Sequence, residues 1–262
     1  MKRISICIIA LLLSCVAWGQ KEYKTSLSGV NRVVLETNTT VDVEIGSSGE
    51  LILRDGKKRD SGYSDGNEKE DERAKGLTAL YAGGVDNTGF GMATERDGST
   101  LRLKDLKPFT QRSRFTLILP KNIDLTLDCG NLGSANIANF TAELEIETNV
   151  GHIKLMDVTG PITANTSTGA IDVTFTSVNQ SAPISISSST GTIDVSLPTN
   201  TKADVEMRTS MGTVYSNFDL VPEREDGLKI VGANRKIKGQ LNGGGVDIRL
   251  ISSVGNIYLR KK

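Results

Sequence analysis

Two carboxylates, Asp172 and Asp194, each stand three residues after a glycine, Gly169 and Gly191, in segments that otherwise read alike. If those segments stack as neighbouring strands, the two side chains leave the same face roughly 5 Å apart at the backbone. Like charges at that spacing repel by about 1 kcal/mol even in a water-like dielectric. Lys154 holds the same position in the preceding repeat and offers an offsetting charge. A bound Ca²⁺ would serve the same end, since that ion takes several oxygen ligands. Placed on a groove, the pair could also act as the acid and base of a glycan-cleaving enzyme. A second polar group, Asp86-Asn87-Thr88, lies among glycines and could line a small ligand pocket or hold a cation. Asx and Thr beside Gly are equally what a tight turn requires. His152 is the single histidine, so a zinc site built on several histidines is excluded. Neither a Gly-x-Ser-x-Gly nucleophile motif nor a phosphate-binding glycine loop occurs.

These residues sit in a repeat. Aligned on Gly151, Gly169, Gly191, Gly212, Gly244 and Gly255, the positions two and four residues later are almost all Ile, Val or Leu, with a mostly polar residue between. That is the period of a half-buried strand. Alternation also precedes each glycine, as in Leu144/Ile146, Ile162/Ala164, Ile184/Ile186, Val205/Met207 and Ile248/Leu250. Each unit is therefore two short strands joined by a Ser/Thr-x-x-Gly corner. Glycine suits a sharp turn, and the hydroxyl can bond backbone groups that the turn frees. Repetition at this period predicts an all-β solenoid of coils stacked through parallel ladders, with an antiparallel β-sandwich as the alternative. Gly244 and Gly255 are too close for two full units, so their strands are expected to be shared or folded back.

The first residues read as an export signal: Lys2 and Arg3, an apolar run from Ile4 to Leu13, and Ala17-Trp18-Gly19 before a cut at Gln20. The run is too short for an ordinary transmembrane helix. Leu12-Leu13-Ser14-Cys15 also permits lipidation at Cys15. Simple cleavage leaves Cys129 as the one cysteine, which excludes an internal disulfide and fits a small buried hydrophobe. Acidic and basic residues balance at 31 each over the whole chain, giving no basis for nucleic-acid binding. The expected organisation is a signal over residues 1–19 and one solenoid over 20–262. Within it, a charged flexible loop falls near 55–75 and the clearest repeats lie at 133–262. The basic end, Arg260-Lys261-Lys262, reads as a guard against edge-to-edge stacking, hence a monomer.

The repeat, the Asp86-Asn87-Thr88-Gly89 segment and the ending Gly243 to Leu259 resemble the bacterial putative-adhesin family of β-strand-repeat exported proteins, in a Bacteroidota-type form. The resemblance implies a right-handed parallel β-helix-like fold, export, and no residue-level function. Three functional readings are open. The first is a non-enzymatic envelope scaffold, exported to the periplasm, cell surface or medium, that binds a glycan or a cell-surface protein and needs no cofactor. The second is a glycan-acting enzyme using Asp172 and Asp194. The third is a structural or regulatory envelope component.

Overall fold

The computed structural model describes residues 22–55, 76–108, 114–220 and 235–262. The export signal, Cys15 and nearly all of the charged 55–75 loop lie outside the described residues. Twenty strands carry the described chain, and no α-helix occurs among them. The first part contains β1 (Glu22–Ser26), β2 (Arg32–Glu36), β3 (Val41–Gly46), β4 (Glu50–Asp55), β5 (Met92–Asp97), β6 (Thr100–Asp105) and β7 (Phe115–Pro120). The repeats continue as β8 (Asp124–Asp128), β9 (Ala135–Ala138), β10 (Leu144–Val150), β11 (Ile153–Val158), β12 (Ile162–Thr168), β13 (Ile171–Phe175), β14 (Ile184–Thr190) and β15 (Ile193–Leu197). The last five are β16 (Ala203–Met211), β17 (Val214–Ser216), β18 (Arg235–Leu241), β19 (Val246–Val254) and β20 (Ile257–Lys261).

The strands form two ten-stranded sheets. One runs β1-β4-β7-β3-β9-β11-β13-β15-β20-β17, the other β18-β16-β19-β14-β12-β10-β8-β2-β6-β5. Each coil gives one strand to each sheet, and neighbouring coils pair in parallel, as expected of a solenoid. Antiparallel pairing, the mark of the alternative sandwich, is confined to the ends: β1 with β4, β4 with β7, β5 with β6, and β16 with β18. Ile153, Ile171, Ile193 and Ile257 form one inward column, each fully buried. Each contributes about 1.5–3 kcal/mol by leaving water. One cluster of buried apolar residues runs from Leu27 to Leu259, which is how a chain with 5% aromatic residues builds a core.

The Ser/Thr-x-x-Gly corner has a specific cause. Thr148, Thr166, Ser188, Ser252 and Thr209 stack in register with their hydroxyls turned inward. Each donates to the carbonyl of the corner glycine one coil back: Gly133 at 2.7 Å, Gly151 at 3.2 Å, Gly169 at 3.1 Å, Gly191 at 2.8 Å and Gly255 at 2.9 Å. A Cβ on Gly151, Gly169, Gly191, Gly255 or Gly212 would collide with that same preceding glycine carbonyl, far inside the 3.0 Å limit. Gly151 and Gly212 lack a positive φ, so close approach between coils, not turn geometry, is what these five corners share, whereas Gly244, with φ of 84° and no such carbonyl beside it, serves a turn. At these five corners this corrects the turn-based expectation, which holds at Gly244.

Coil order in space departs from sequence order at both ends. The β6/β7 coil lies outside β2/β3, and the last coil, β19/β20, lies between β14/β15 and β16/β17. Strand β19 is the shared element expected from the crowded glycines: its Ile248 sits four residues after Gly244 and seven before Gly255. Strand β20 pairs on both sides, with β15 and β17. The basic tail therefore does not stand beside an exposed edge. Instead Arg260 binds Asp194, Lys261 lies 3.6 Å from Asp219, and Lys262 reaches Asp157 at 2.7 Å. The edge strands are β1, β5, β17 and β18.

Candidate functional site

Strands β13 and β15 place Asp172 and Asp194 directly opposite one another, with Lys154 opposite Asp172 on the other side. The ladder expected from the glycine spacing is therefore present. The charge that offsets it is a different one. Arg260, from β20 on the next rung, grips Asp194 with Nε at 2.8 Å from Oδ1 and Nη2 at 2.8 Å from Oδ2. No ion pair within 4 Å joins Lys154 to Asp172 among the described residues. Nor do those residues contain a group of three or more His, Cys, Asp or Glu able to hold a metal ion.

The Arg260 guanidinium also lies 5.1 Å from the ring centre of Tyr258. Tyr258 in turn stacks on Tyr215, with ring centres 5.0 Å apart and planes 8° from parallel. These rings occupy the column of Asp172 and Asp194, on β20 and β17. Asn256 Nδ2 donates to the Tyr258 hydroxyl at 3.2 Å and fixes its end of the stack. Tyr215 is 49% exposed on an edge strand. The result is an outward patch in the order Asp194, Arg260, Tyr258, Tyr215. Its aromatic half was visible in the sequence as two Tyr residues three positions after Gly212 and Gly255. Their adjacency was hidden, because β20 and β17 belong to coils in inverted order.

Asp86, Asn87 and Thr88 are brought together, but they bind their own loop. One Asp86 oxygen accepts from the Thr88 amide and hydroxyl, both at 2.9 Å, and from the Gly89 amide at 2.8 Å; the other accepts from the Gly91 amide at 2.9 Å. Asn87 exchanges bonds with Thr94, donating Nδ2 to its carbonyl at 2.9 Å and accepting its amide at 2.8 Å. The same Thr88 hydroxyl lies 3.2 Å from the Met92 carbonyl, sharing its one proton between that oxygen and Asp86, and accepts from the Phe90 amide. Partial burial disfavours the Asp86 charge, yet the bonds from Thr88, Gly91 and Gly89 outweigh it and hold the carboxyl below its ordinary range. All three side chains thus use their polar groups to close a turn.

His152 stands at an exposed corner, where its Nδ1 accepts the Ala170 amide at 3.3 Å. Cys129 is completely buried, and burial, aided by the Asp128 charge, pushes its thiol up to about 12. A thiol so placed is almost never ionised and is shielded from reagents. On the outer face of the first sheet, an open groove of about 400 Å³ is lined by Asp42, Glu44, Thr116, Asn136, Lys154 and Met156. Its Asp42 is already engaged: Arg114 Nη2 lies 2.6 Å from that carboxylate, and Asn136 donates to the same oxygen at 2.9 Å.

A two-sheet stack of short parallel coils, locked by hydroxyl-to-glycine bonds, defines the class as a β-solenoid. Residues 91–260 match the Toastrack DUF4097 family, and the chain belongs to that family. It is similar to a putative cell adhesion protein from Clostridium sporogenes of known structure, 15% identical, over 93% of this chain and 100% of that one, with a TM-score of 0.47. It is also similar to a putative adhesin from Bacteroides fragilis, 12% identical, over 94% of this chain and 98% of that one, with a TM-score of 0.42. No curated protein matches the sequence. Among the described residues, no helix is long and apolar enough to cross a membrane.

Proposed function

We propose that this chain is an exported, non-enzymatic scaffold that presents the outer faces of its two sheets to a glycan or protein ligand in the cell envelope. The observation that carries the reading is the Arg260–Tyr258–Tyr215 patch. Aromatic rings and guanidinium groups are the side chains most often found at binding hot spots, because they bury large area at low conformational cost. Here their geometry is fixed in advance by Asp194, Asn256 and the strand ladder, which lowers the cost of ordering on binding. The glycan-acting alternative draws less support. Asp194 is clamped by a bidentate guanidinium, which leaves it poorly placed to move a proton during bond cleavage.

A glycan array and a pull-down from envelope extracts, run with the native chain and a Tyr215→Ala/Tyr258→Ala variant, test the patch. Loss of at least tenfold in retained ligand is the expected result, with melting temperature nearly unchanged by the exposed Tyr215→Ala change alone. Equal retention by both proteins would remove the patch from the reading. Turnover of any glycan that disappears in an Asp172→Ala/Asp194→Ala variant would replace it with the enzymatic one.

A further inference from the structure

The last coil of the chain is not the last coil of the stack. Strands β19 and β20 fill a slot whose walls are β14/β15 on one side and β16/β17 on the other. No strand of the outer group, β16 to β18, pairs with β14 or β15. That group is held to the solenoid by the inserted coil. We propose that the segment 246–262 is an exchangeable element, and that the slot accepts it from a second copy of this chain as well as from its own.

Three observations support exchange. First, the segment is chemically a standard rung: Ile248, Leu250, Ser252, Gly255, Ile257 and Leu259 meet their neighbours through the same pairings, hydroxyl bond and glycine contact as every inner coil. A copy from another molecule would reproduce each of these contacts, as in the strand-addition mode of recognition. Second, every strand partner of the segment lies outside it, β14 and β16 for β19 and β15 and β17 for β20. Third, it is joined to β18 by Asn242-Gly243-Gly244-Gly245, where Asn242, Gly243 and Gly244 have φ of 50°, 86° and 84° and Gly243 has open space around it. This is a hinge, and it carries a latch. Asp204 accepts the Gly245 amide at 3.1 Å, Gln180 accepts the Val246 amide at 3.2 Å, and Asn242 donates to the carbonyls of Thr199 and Thr201 at 3.0 Å and 2.7 Å. A short tether gives the chain's own segment an effective concentration on the order of millimolar, so self-docking dominates in dilute solution and exchange grows with protein concentration.

Full-length chains with Cys7→Ser and Cys15→Ser, and with Cys129 buried and silent, allow a direct test. One population carries Ser185→Cys and the other Arg249→Cys, positions that face each other between β14 and β19. Each molecule then has one surface thiol, so only exchange places the two in register. The control pair is Thr163→Cys with Arg249→Cys, because Thr163 lies on β12, one rung further away. After mixing at high concentration and oxidation, the registered pair should give at least tenfold more cross-linked heterodimer than the control. Equal yields would overturn the proposal. Releasing the latch with Asp204→Ala and Gln180→Ala should speed cross-linking of the registered pair several-fold and leave the control unchanged. An equal rise in both pairs would indicate general loosening and would also count against exchange.

Discussion

The middle of the molecule and its two ends are built from the same rung but obey different rules. From β8 to β15, each coil lies against the one before it in sequence, and every column can be found by counting residues past a glycine. At one end a later coil, β6/β7, lies outside the earlier β2/β3; at the other the later β19/β20 lies inside the earlier β16/β17, and antiparallel pairing occurs only at these ends. The difference shows what the repeat controls. It sets register, because Ile must meet Ile and the hydroxyl must meet a glycine carbonyl. It does not set order, because any rung fits against any other. A bare parallel edge invites association with other molecules. Three of the four edges here are instead finished by antiparallel strands carrying charges, such as Lys236 and Lys238 on β18 and Glu22 and Lys24 on β1, while the fourth, the three-residue β17, pairs in parallel with β20.

The largest effects test whether an inserted coil is as much a part of the core as a middle one. Ile193→Asp puts an unpaired charge at a fully buried position and should cost about 4 kcal/mol or more, measured by urea unfolding. Ile248→Asp should cost as much, despite lying 14 residues from the chain end, since β19 has partners on both sides. A much smaller cost at Ile248 would mean the last coil frays as an ordinary terminus does.

Next comes the glycine contact. Gly151→Ala should destabilise by about 1–3 kcal/mol, because the new methyl meets the Gly133 carbonyl and the coils must spread. Gly49→Ala, with nothing within 4 Å, should be near neutral. Equal effects would assign the corner glycines to backbone entropy and not to packing.

The smallest effect concerns pH at the first end. The Asp86 carboxyl has a lower pKa folded than unfolded, so its contribution is complete above the ordinary carboxylate range and is lost as pH falls through the folded value. Protection of the Gly89 and Gly91 amides against hydrogen exchange should accordingly persist through the ordinary carboxylate range and collapse only below it. Loss of protection already within that range would show that the loop's bonds do not hold the charge.

Much of this was readable in the residues. Periodicity gave the strands, the Asp172–Asp194 ladder and the shared strand at Ile248, since each depends on local spacing. The partner of Asp194 was not readable. Arg260 is 66 residues away, and it arrives on the neighbouring rung only because β19/β20 is inserted beside β15. The same inversion concealed the Tyr258–Tyr215 stack and moved the basic tail from an edge to an interior rung. Interchangeable repeats carry no label of their rank, so a reading that places them in sequence order fails where the order changes. The role of glycine was half visible: its place in the motif marked a corner, but the carbonyl it must accommodate belongs to another coil.

Hydrogen exchange measured strand by strand tests the central claim, that stack position and not sequence position decides how firmly a coil is held. The amides of β19 and β20, including Ile257, whose N–H reaches the Thr213 carbonyl at 3.0 Å, should be protected like those of β14 and β15. Those of β17, on the sheet edge and earlier in the chain, should exchange faster. Faster exchange in β19 and β20 than in β16 and β17 would contradict the inserted arrangement.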